Sequence, residues 1–274
     1  MTVDVRAKKN LGQHFLRDLG IAGKIAATIS PEEVGEKSGS LPVIEIGPGM
    51  GVLTRFLIEA GRDVTAIELD TESVEYLSRE MPSLRVIEGD FLKLDLDKVI
   101  EGPIALIGNY PYNISSQIFF KVLDYREKIP LVSGMLQKEV AERICAKPGG
   151  KDYGILSVLL QAWYDCKYLF SVPPGVFAPP PKVMSGVLRL TRNSRVDLGV
   201  PEEAFRRVVK TAFGQRRKTL RNSLGSLMGA DNPIMKDEIM QLRPERLGVE
   251  EFIRLTRAAL NRRETADSGD TREG

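Results

Sequence analysis

Short apolar runs alternate with amphipathic stretches through the first half of the chain. The runs PVIEIG (42–47), DVTAIE (63–68), LRVIEG (84–89), IALIG (104–108) and LVSGML (131–136) are β-rich and continuous rather than alternating. That is the pattern of parallel strands buried on both faces. The segments between them have helical spacing. In 52–61, Leu53, Phe56, Leu57 and Ala60 share one face and Gly61 supplies a stop. Segments 73–81 and 115–125 read the same way, and Ile21, Ile25 and Ile29 predict a short helix over 21–34. Repeated βα units of this length predict an α/β, right-handed, doubly wound sheet of Rossmann-like form with helices on both faces.

The rhythm changes after residue 138. Two helices are expected over 138–146 and 155–163, then two strands in CKYLFSVPP and KVMSGVLRLTR closing the sheet. The polar stretch NSRVDLGVP (193–201) contains Gly and Pro and reads as a linker. Beyond it the pattern is helical throughout. Pro201 suits a first helical position, Glu202 and Glu203 suit the first turn, and Phe205, Val208, Val209, Ala212 and Phe213 form one stripe. The last helix is expected over 250–263. The expected organisation is a domain over 1–192 with a basic N-terminal arm, a small all-helical domain over 193–263, and a disordered tail over 264–274, which has no apolar anchor.

Composition narrows the function classes. Of 274 residues, 42% are apolar, enough for a sizeable core, and no run approaches the roughly 18 apolar residues of a membrane helix. The N-terminus has no apolar core of a secretory signal. Cys145 and Cys166 are far apart in sequence and suit reduced thiols of a cytosolic protein. His14 is the only histidine, so no standard zinc site can be assembled. The net charge is only +2, but its distribution is uneven. The segment 206–222 carries Arg206, Arg207, Lys210, Arg216, Arg217, Lys218 and Arg221 and no acid, which reads either as a nucleic-acid-facing surface or as a plain solvated face.

Candidate chemistry sits at the ends of the predicted strands. The first runs into Gly47, Gly49 and Gly51, a glycine turn before a helix, as in nucleotide-binding crevices. Glu68 ends the second strand, 21 residues after Gly47, where a carboxylate can take both hydroxyls of a ribose. The spacing is G-x-G-x-G, not G-x-G-x-x-G, and Pro48 removes an N–H from the turn. That disfavours a dehydrogenase and a pyrophosphate, and points to a nucleoside cofactor such as S-adenosylmethionine. Asp90, at the third strand's end, is placed either to accept an adenine amine or to make a plain turn.

The fourth strand runs into IGNYPYNISSQ (107–117). An exocyclic amine such as adenine N6 is a poor nucleophile because its lone pair is delocalised. The amide oxygen of Asn109 and the carbonyl of Tyr110 can accept its two N–H bonds and hold it toward an electrophilic methyl group. Pro111 fixes φ, and Tyr112 offers a flat face for an unstacked base. Such chemistry needs positioning more than a strong base. Phe177, in the proline-stiffened VFAPPPK, is a second aromatic candidate, though a core role fits its spacing equally.

Taken in order, KKNLGQHFLRD (8–18), VIEIGPGMGVLT (43–54), AIELD (66–70), EGDFLKLD (88–95), NYPYNISSQIFFKVL (109–123), LQKEVAERI (136–144), VFAPPPKVMSGVLRL (176–190), FGQRRKTLRNSL (213–224) and RPERLGVEEFIRL (243–255) resemble the small-subunit ribosomal RNA adenine dimethyltransferases, the KsgA type. The resemblance implies dimethylation of N6 on two adjacent adenosines near the 3′ end of 16S rRNA, using S-adenosylmethionine and no metal. The substrate would be an immature 30S subunit. The cysteine usage separately fits a cytoplasmic protein, and the lack of a long leftover apolar stripe fits a monomer. It also implies that His14, Leu16, Gly47, Glu68, Asp90 and Asn109 line the cofactor site, that Asn109, Tyr112 and Phe177 hold the target base, and that the 206–222 segment grips rRNA phosphates in a salt-dependent way. Tyr110 stands where the family usually has Leu or Ile, His14 and Gly214 where it has Asn, and Met184 where it has Asp. The alternatives are a 23S rRNA adenine methyltransferase of the macrolide-resistance type, which shares the glycine loop and N-x-P-Y turn, and a non-catalytic 30S assembly factor.

Overall fold

The computed structural model describes residues 5–35 and 40–267. In chain order the first elements are β1 (Phe15–Leu16), α1 (Leu19–Ala27), α2 (Pro31–Val34), β2 (Val43–Ile46), α3 (Val52–Glu59), β3 (Val64–Glu68), α4 (Thr71–Glu80), β4 (Arg85–Glu88), β5 (Ala105–Gly108) and α5 (Ser115–Asp124). They are followed by β6 (Leu131–Gln137), α6 (Lys138–Cys145), α7 (Ile155–Gln161), β7 (Tyr164–Val172), β8 (Phe177–Ala178) and β9 (Ser185–Arg192). Three further helices follow: α8 (Glu202–Gly214), α9 (Leu220–Met228) and α10 (Val249–Asp267). The helix expected over 21–34 is divided. Ser30 precedes Pro31 and is extended at ψ 156°, because the proline ring disfavours α geometry in the residue before it.

The chain forms two compact units. One holds the chain up to Glu142 together with Tyr164–Asn193, and the other holds Arg143–Trp163 and the chain from Ser194 onward. In the first, seven strands are ordered β4-β3-β2-β5-β6-β9-β7. The strands from β4 to β6 run parallel, and β9 pairs antiparallel with both β6 and β7. Every residue of β2 and β5 is buried, as continuous apolar runs require. β4, at the edge, has none buried. One core lies between the sheet and α1 and α3, and includes Ile25, Leu53, Leu57, Val43, Ile107 and Met135. A second small ladder joins β1 to β8, antiparallel.

The second unit is helical. The α8 stripe Phe205, Val208, Val209, Ala212 and Phe213 is buried as its spacing predicts. Phe213 stacks on Phe252 of α10, with centroids 5.8 Å apart. Pro201 occupies the N-cap of α8, one position before the expected one, with both glutamates in the first turn. Between α9 and α10 the chain makes 3-10 turns at Pro233–Lys236, Glu238–Gln241 and Pro244–Arg246. α10 extends to Asp267. The rest of the segment expected to be disordered, 268–274, lies outside the described residues.

Two glycines make room for one tyrosine. A Cβ on Gly134 of β6 would lie 2.3 Å from the Gly108 carbonyl oxygen and 2.7 Å from the Tyr110 ring, and its φ is +146°. A Cβ on Gly108 would lie 2.6 Å from the Ile46 carbonyl oxygen. The Tyr110 ring therefore fills space that only glycine leaves. Gly134→Ala combines backbone overlap with a strained φ. It is expected to destabilise the protein by about 3 kcal/mol, read as a lowered urea midpoint with unchanged slope; an unchanged midpoint would show that the ring shifts freely.

Candidate active site

Growth of the sheet reverses between β2 and β5. From β2 the chain moves outward to β3 and β4, and from β5 it moves the other way to β6. In open α/β sheets the crevice at such a point, beyond the carboxyl ends of the strands, is where ligands bind. One cavity lies there. Gly47 and Gly49 after β2, Glu68 at the end of β3, Asp90 after β4 and Asn109, Tyr110 and Tyr112 after β5 all line it. His14 and its neighbours in the N-terminal arm form another wall. Three residues singled out from the sequence do not reach it. Gly51 is the N-cap of α3 at φ +73° and lies against Met81. Leu16 and Phe177 are buried, at 5% and 4% exposure, and face each other across the β1–β8 ladder.

The acidic side chains are held by main-chain donors. The Glu68 carboxylate accepts from the N–H of Gly49 at 3.1 Å, of Leu69 at 2.8 Å and of Asp70 at 2.9 Å. Burial raises its affinity for a proton, and those three N–H groups partly offset the rise. A carboxylate offers about four acceptor positions, so it can still take a ribose hydroxyl. Asp90 accepts from Leu92 N–H at 2.9 Å, which folds the loop after it. That loop is anchored by Lys121 of α5, whose ammonium donates to the carbonyls of Phe91 at 2.6 Å, Leu92 at 3.2 Å and Leu94.

One buried acid escaped the sequence reading. Glu45 lies within β2, just before the glycine turn, 1% exposed, and its Oε2 has no hydrogen-bond partner among the described residues. Burial pushes its carboxyl up to about 8, with a smaller contribution from the charge of Glu68. Its signal in sequence is an acid inside an otherwise apolar run.

The NYPY turn divides its labour. Tyr110 N–H donates to Met135 O at 2.8 Å, and its hydroxyl donates to Ser133 O at 2.6 Å. The ring is 1% exposed and meets Phe119 edge-on. The phenol belongs to the core, so Tyr110 offers the site its main chain. The Asn109 amide nitrogen donates to His14 O at 2.9 Å. This bond assigns the nitrogen to the arm and leaves Oδ1 as the acceptor for a ligand. Tyr112 is partly buried. Its hydroxyl bonds Ser185 Oγ, and its ring lies 5.4 Å from the His14 ring. His14 Nδ1 lies 2.8 Å from Pro179 O; a carbonyl only accepts, so Nδ1 carries the proton.

The basic residues of α8, α9 and the turn between them are in the helical unit. Arg207, Lys210, Arg217, Lys218 and Arg221 are exposed, while Arg206 and Arg216 are partly buried. Arg206 pairs with Glu202 at 2.8 Å, Arg216 donates to Lys151 O, and Arg221 to Met235 O. Gly214 ends α8, and a Cβ there would meet nothing within 4 Å, so the family's usual Asn would fit.

The chain is similar to known proteins. Residues 5–254 match the family described as ribosomal RNA adenine dimethylase. A protein of Parabacteroides distasonis named ribosomal RNA small subunit methyltransferase A is 61% identical over 254 residues, covering 92% of this chain and 93% of that one. A namesake in Porphyromonas gingivalis is 59% identical over 256 residues, covering 92% and 97%. Among solved structures, a dimethyladenosine transferase from Plasmodium falciparum superposes with TM-score 0.72 at 24% identity, covering 92% of this chain and 98% of that one. The 23S rRNA methyltransferase ErmE superposes with TM-score 0.62 at 26% identity, covering 89% and 99%.

Two predictions follow from the acids and their supports. Lys121→Met removes the anchor of the Asp90 loop but no cavity-lining group. It is expected to weaken S-adenosylmethionine binding about tenfold, the size of one lost charged hydrogen bond, by titration calorimetry; unchanged affinity would mean the loop holds itself. Glu45 titrates near 4.5 when unfolded and near 8 when folded. Between those values the folded state binds more protons, so stability falls as pH rises. Glu45→Gln should flatten that slope in urea unfolding at pH 5, 6.5 and 8, and an unaltered slope would contradict the assignment.

Proposed function

The chain belongs to the ribosomal RNA adenine dimethylase family, and we propose that it transfers methyl groups from S-adenosylmethionine to N6 of two adjacent adenosines near the 3′ end of 16S rRNA. The observation that carries this reading is the Asn109 amide. Its nitrogen is occupied by the arm, and its oxygen is left beside the cavity for an amine. The small-subunit name of the relatives at 61% and 59% identity favours 16S over 23S rRNA, against 26% identity to the 23S enzyme. An immature 30S subunit as substrate, a monomeric enzyme and a cytoplasmic location complete the proposal. No helix among the described residues is long and apolar enough to cross a membrane.

The residues present fit the cofactor. Glu68 keeps acceptor capacity for ribose hydroxyls, Asp90 Oδ2 can take an adenine amine, and the main chain at Gly47 passes without a side chain. A Cβ on Gly49 would lie 2.9 Å from the Phe15 ring. When bound, S-adenosylmethionine supplies an electrophilic methyl group on a sulfonium. The chain's part is positional. In the first transfer Asn109 Oδ1 and the Tyr110 carbonyl accept the two N6 hydrogens and orient the lone pair; in the second the single remaining N–H is held by one of these two acceptors. Tyr112 stacks against the flipped base, steadied by Ser185. The methylated nitrogen is a strong acid, so its proton passes to water without a strong base. Arg207, Lys210, Arg217, Lys218 and Arg221 supply the exposed charge for rRNA phosphates, with Arg206 and Arg216 in the same segment.

Tritium transfer from labelled S-adenosylmethionine into 30S particles lacking the modification, followed by nuclease digestion and nucleoside mass analysis, tests the reading. Dimethyladenosine in the 3′-terminal hairpin is expected, and Asn109→Ala should lower transfer by about a hundredfold or more with the thermal melt unchanged. Label in naked 23S rRNA instead would favour the resistance-type activity. Label in neither would leave an assembly factor.

A further inference from the structure

The arm that lines the cavity is anchored at both ends. On one side Phe15 and Leu16 pair with Ala178 and Phe177, and Arg17 N–H donates to Val176 O at 2.8 Å. On the other side the anchor is Asp70, whose carboxylate is 1% exposed. It forms an ion pair with Lys8 and accepts from Gln13 Nε2 at 3.3 Å and from Ser73 Oγ at 3.0 Å. Lys8 also reaches Glu72 at 3.1 Å, and its N–H donates to Gln13 Oε1 at 2.7 Å. Lys8, Gln13 and Asp70 thus form a closed cycle. Next to Gln13 in the chain, the carbonyl of His14 receives the Asn109 amide nitrogen.

We infer that Lys8, Gln13 and Asp70 are positioning residues for methyl transfer, acting through the arm to hold the His14 carbonyl on the Asn109 amide; this rests on the function proposed above. The two ends of a carboxamide are nearly the same size, so shape does not decide which one faces the ligand. A carbonyl accepts and cannot donate, so its presence selects the nitrogen and turns the oxygen toward N6. If the arm swings away, the amide can turn, and its NH2 would then confront the amine with donors. The same turn serves the cofactor. Asp70 N–H donates to Glu68 Oε1, so the ribose-binding acid and the anchor share one main-chain segment.

The test compares kcat and the two KM values for wild type, Lys8→Met, Gln13→Ala and Lys8→Arg on unmodified 30S particles. Lys8 is 35% exposed at its side chain and Asp70 keeps its bonds from Gln13 and Ser73 when Lys8 is replaced, and matched thermal melts check that the fold is retained. With both substrates saturating, Lys8→Met and Gln13→Ala are each expected to lower kcat by about tenfold or more, with Lys8→Arg near wild type. In an Asn109→Ala background, read by single-turnover label incorporation, Lys8→Met should have no further effect on rate. A rise in the cofactor KM alone, an unmoved kcat in an active wild type, or a full additional loss in the Asn109→Ala background would each overturn the latch while leaving the reaction standing. A wild type that transfers no methyl would overturn both.

Discussion

β2 and β5 lie side by side in the sheet while the chain leaves them toward opposite edges, and every polar group of the site depends on that divergence. It opens the crevice into which the Gly47–Gly49 turn, Glu68, Asp90 and the Asn109 turn all project. Because β2 and β5 are buried along their whole length, their carboxyl ends are fixed in register: Ile46 lies opposite Gly108. The two loops that must cooperate are thus tied to one ladder rung.

Around this point the structure spends its buried polar groups on orientation. Tyr110 gives its ring to the core and its hydroxyl to Ser133 O. Burying such a ring contributes about 1.5–3 kcal/mol, and an unpaired buried hydroxyl would cancel about 1–3 of that. Ser133 Oγ in turn donates to Leu188 O and meets Thr28 Oγ1 at 2.6 Å, joining the end of α1 to β6 and β9. The residue before Pro111 is therefore held through its N–H, its hydroxyl and its buried ring, and its carbonyl can serve as a positioned acceptor. Lys121 does the same for the Asp90 loop. Neither group touches the cavity through its charged or polar end, yet both decide where the acceptors point.

Much of this was legible in the sequence. The five apolar runs match β2 to β6 closely; in β2 and β5 every residue is buried, which leaves little freedom of assignment, whereas the edge strand β4 carries its run with none buried. Gly47, Glu68, Asp90 and Asn109 are marked in the sequence by strand ends and spacing, each by a local motif, and all four line the cavity. Other features were not legible, for physical reasons. Leu16 and Phe177 face each other across a ladder of residues about 160 apart, and nothing local marks the pairing. The Lys8–Asp70 anchor spans 62 positions. Spacing also could not show that the Tyr110 ring enters the core, because the room for it comes from Gly134 on another strand. The association of 143–163 with the C-terminal helices is a further long-range fact, seen in the ring contact of Tyr153 with Phe213.

The central claim is that a pre-oriented amide and one main-chain carbonyl capture the adenine amine. The most direct measurement is the crystal structure of the protein with S-adenosylhomocysteine and an RNA hairpin carrying the two adjacent adenosines. The account predicts an unstacked adenine against Tyr112, with N6 about 3 Å from both Asn109 Oδ1 and the Tyr110 carbonyl, and the Asn109 nitrogen still on His14 O. An amide turned with its nitrogen toward the base, or N6 held by other groups, would contradict it.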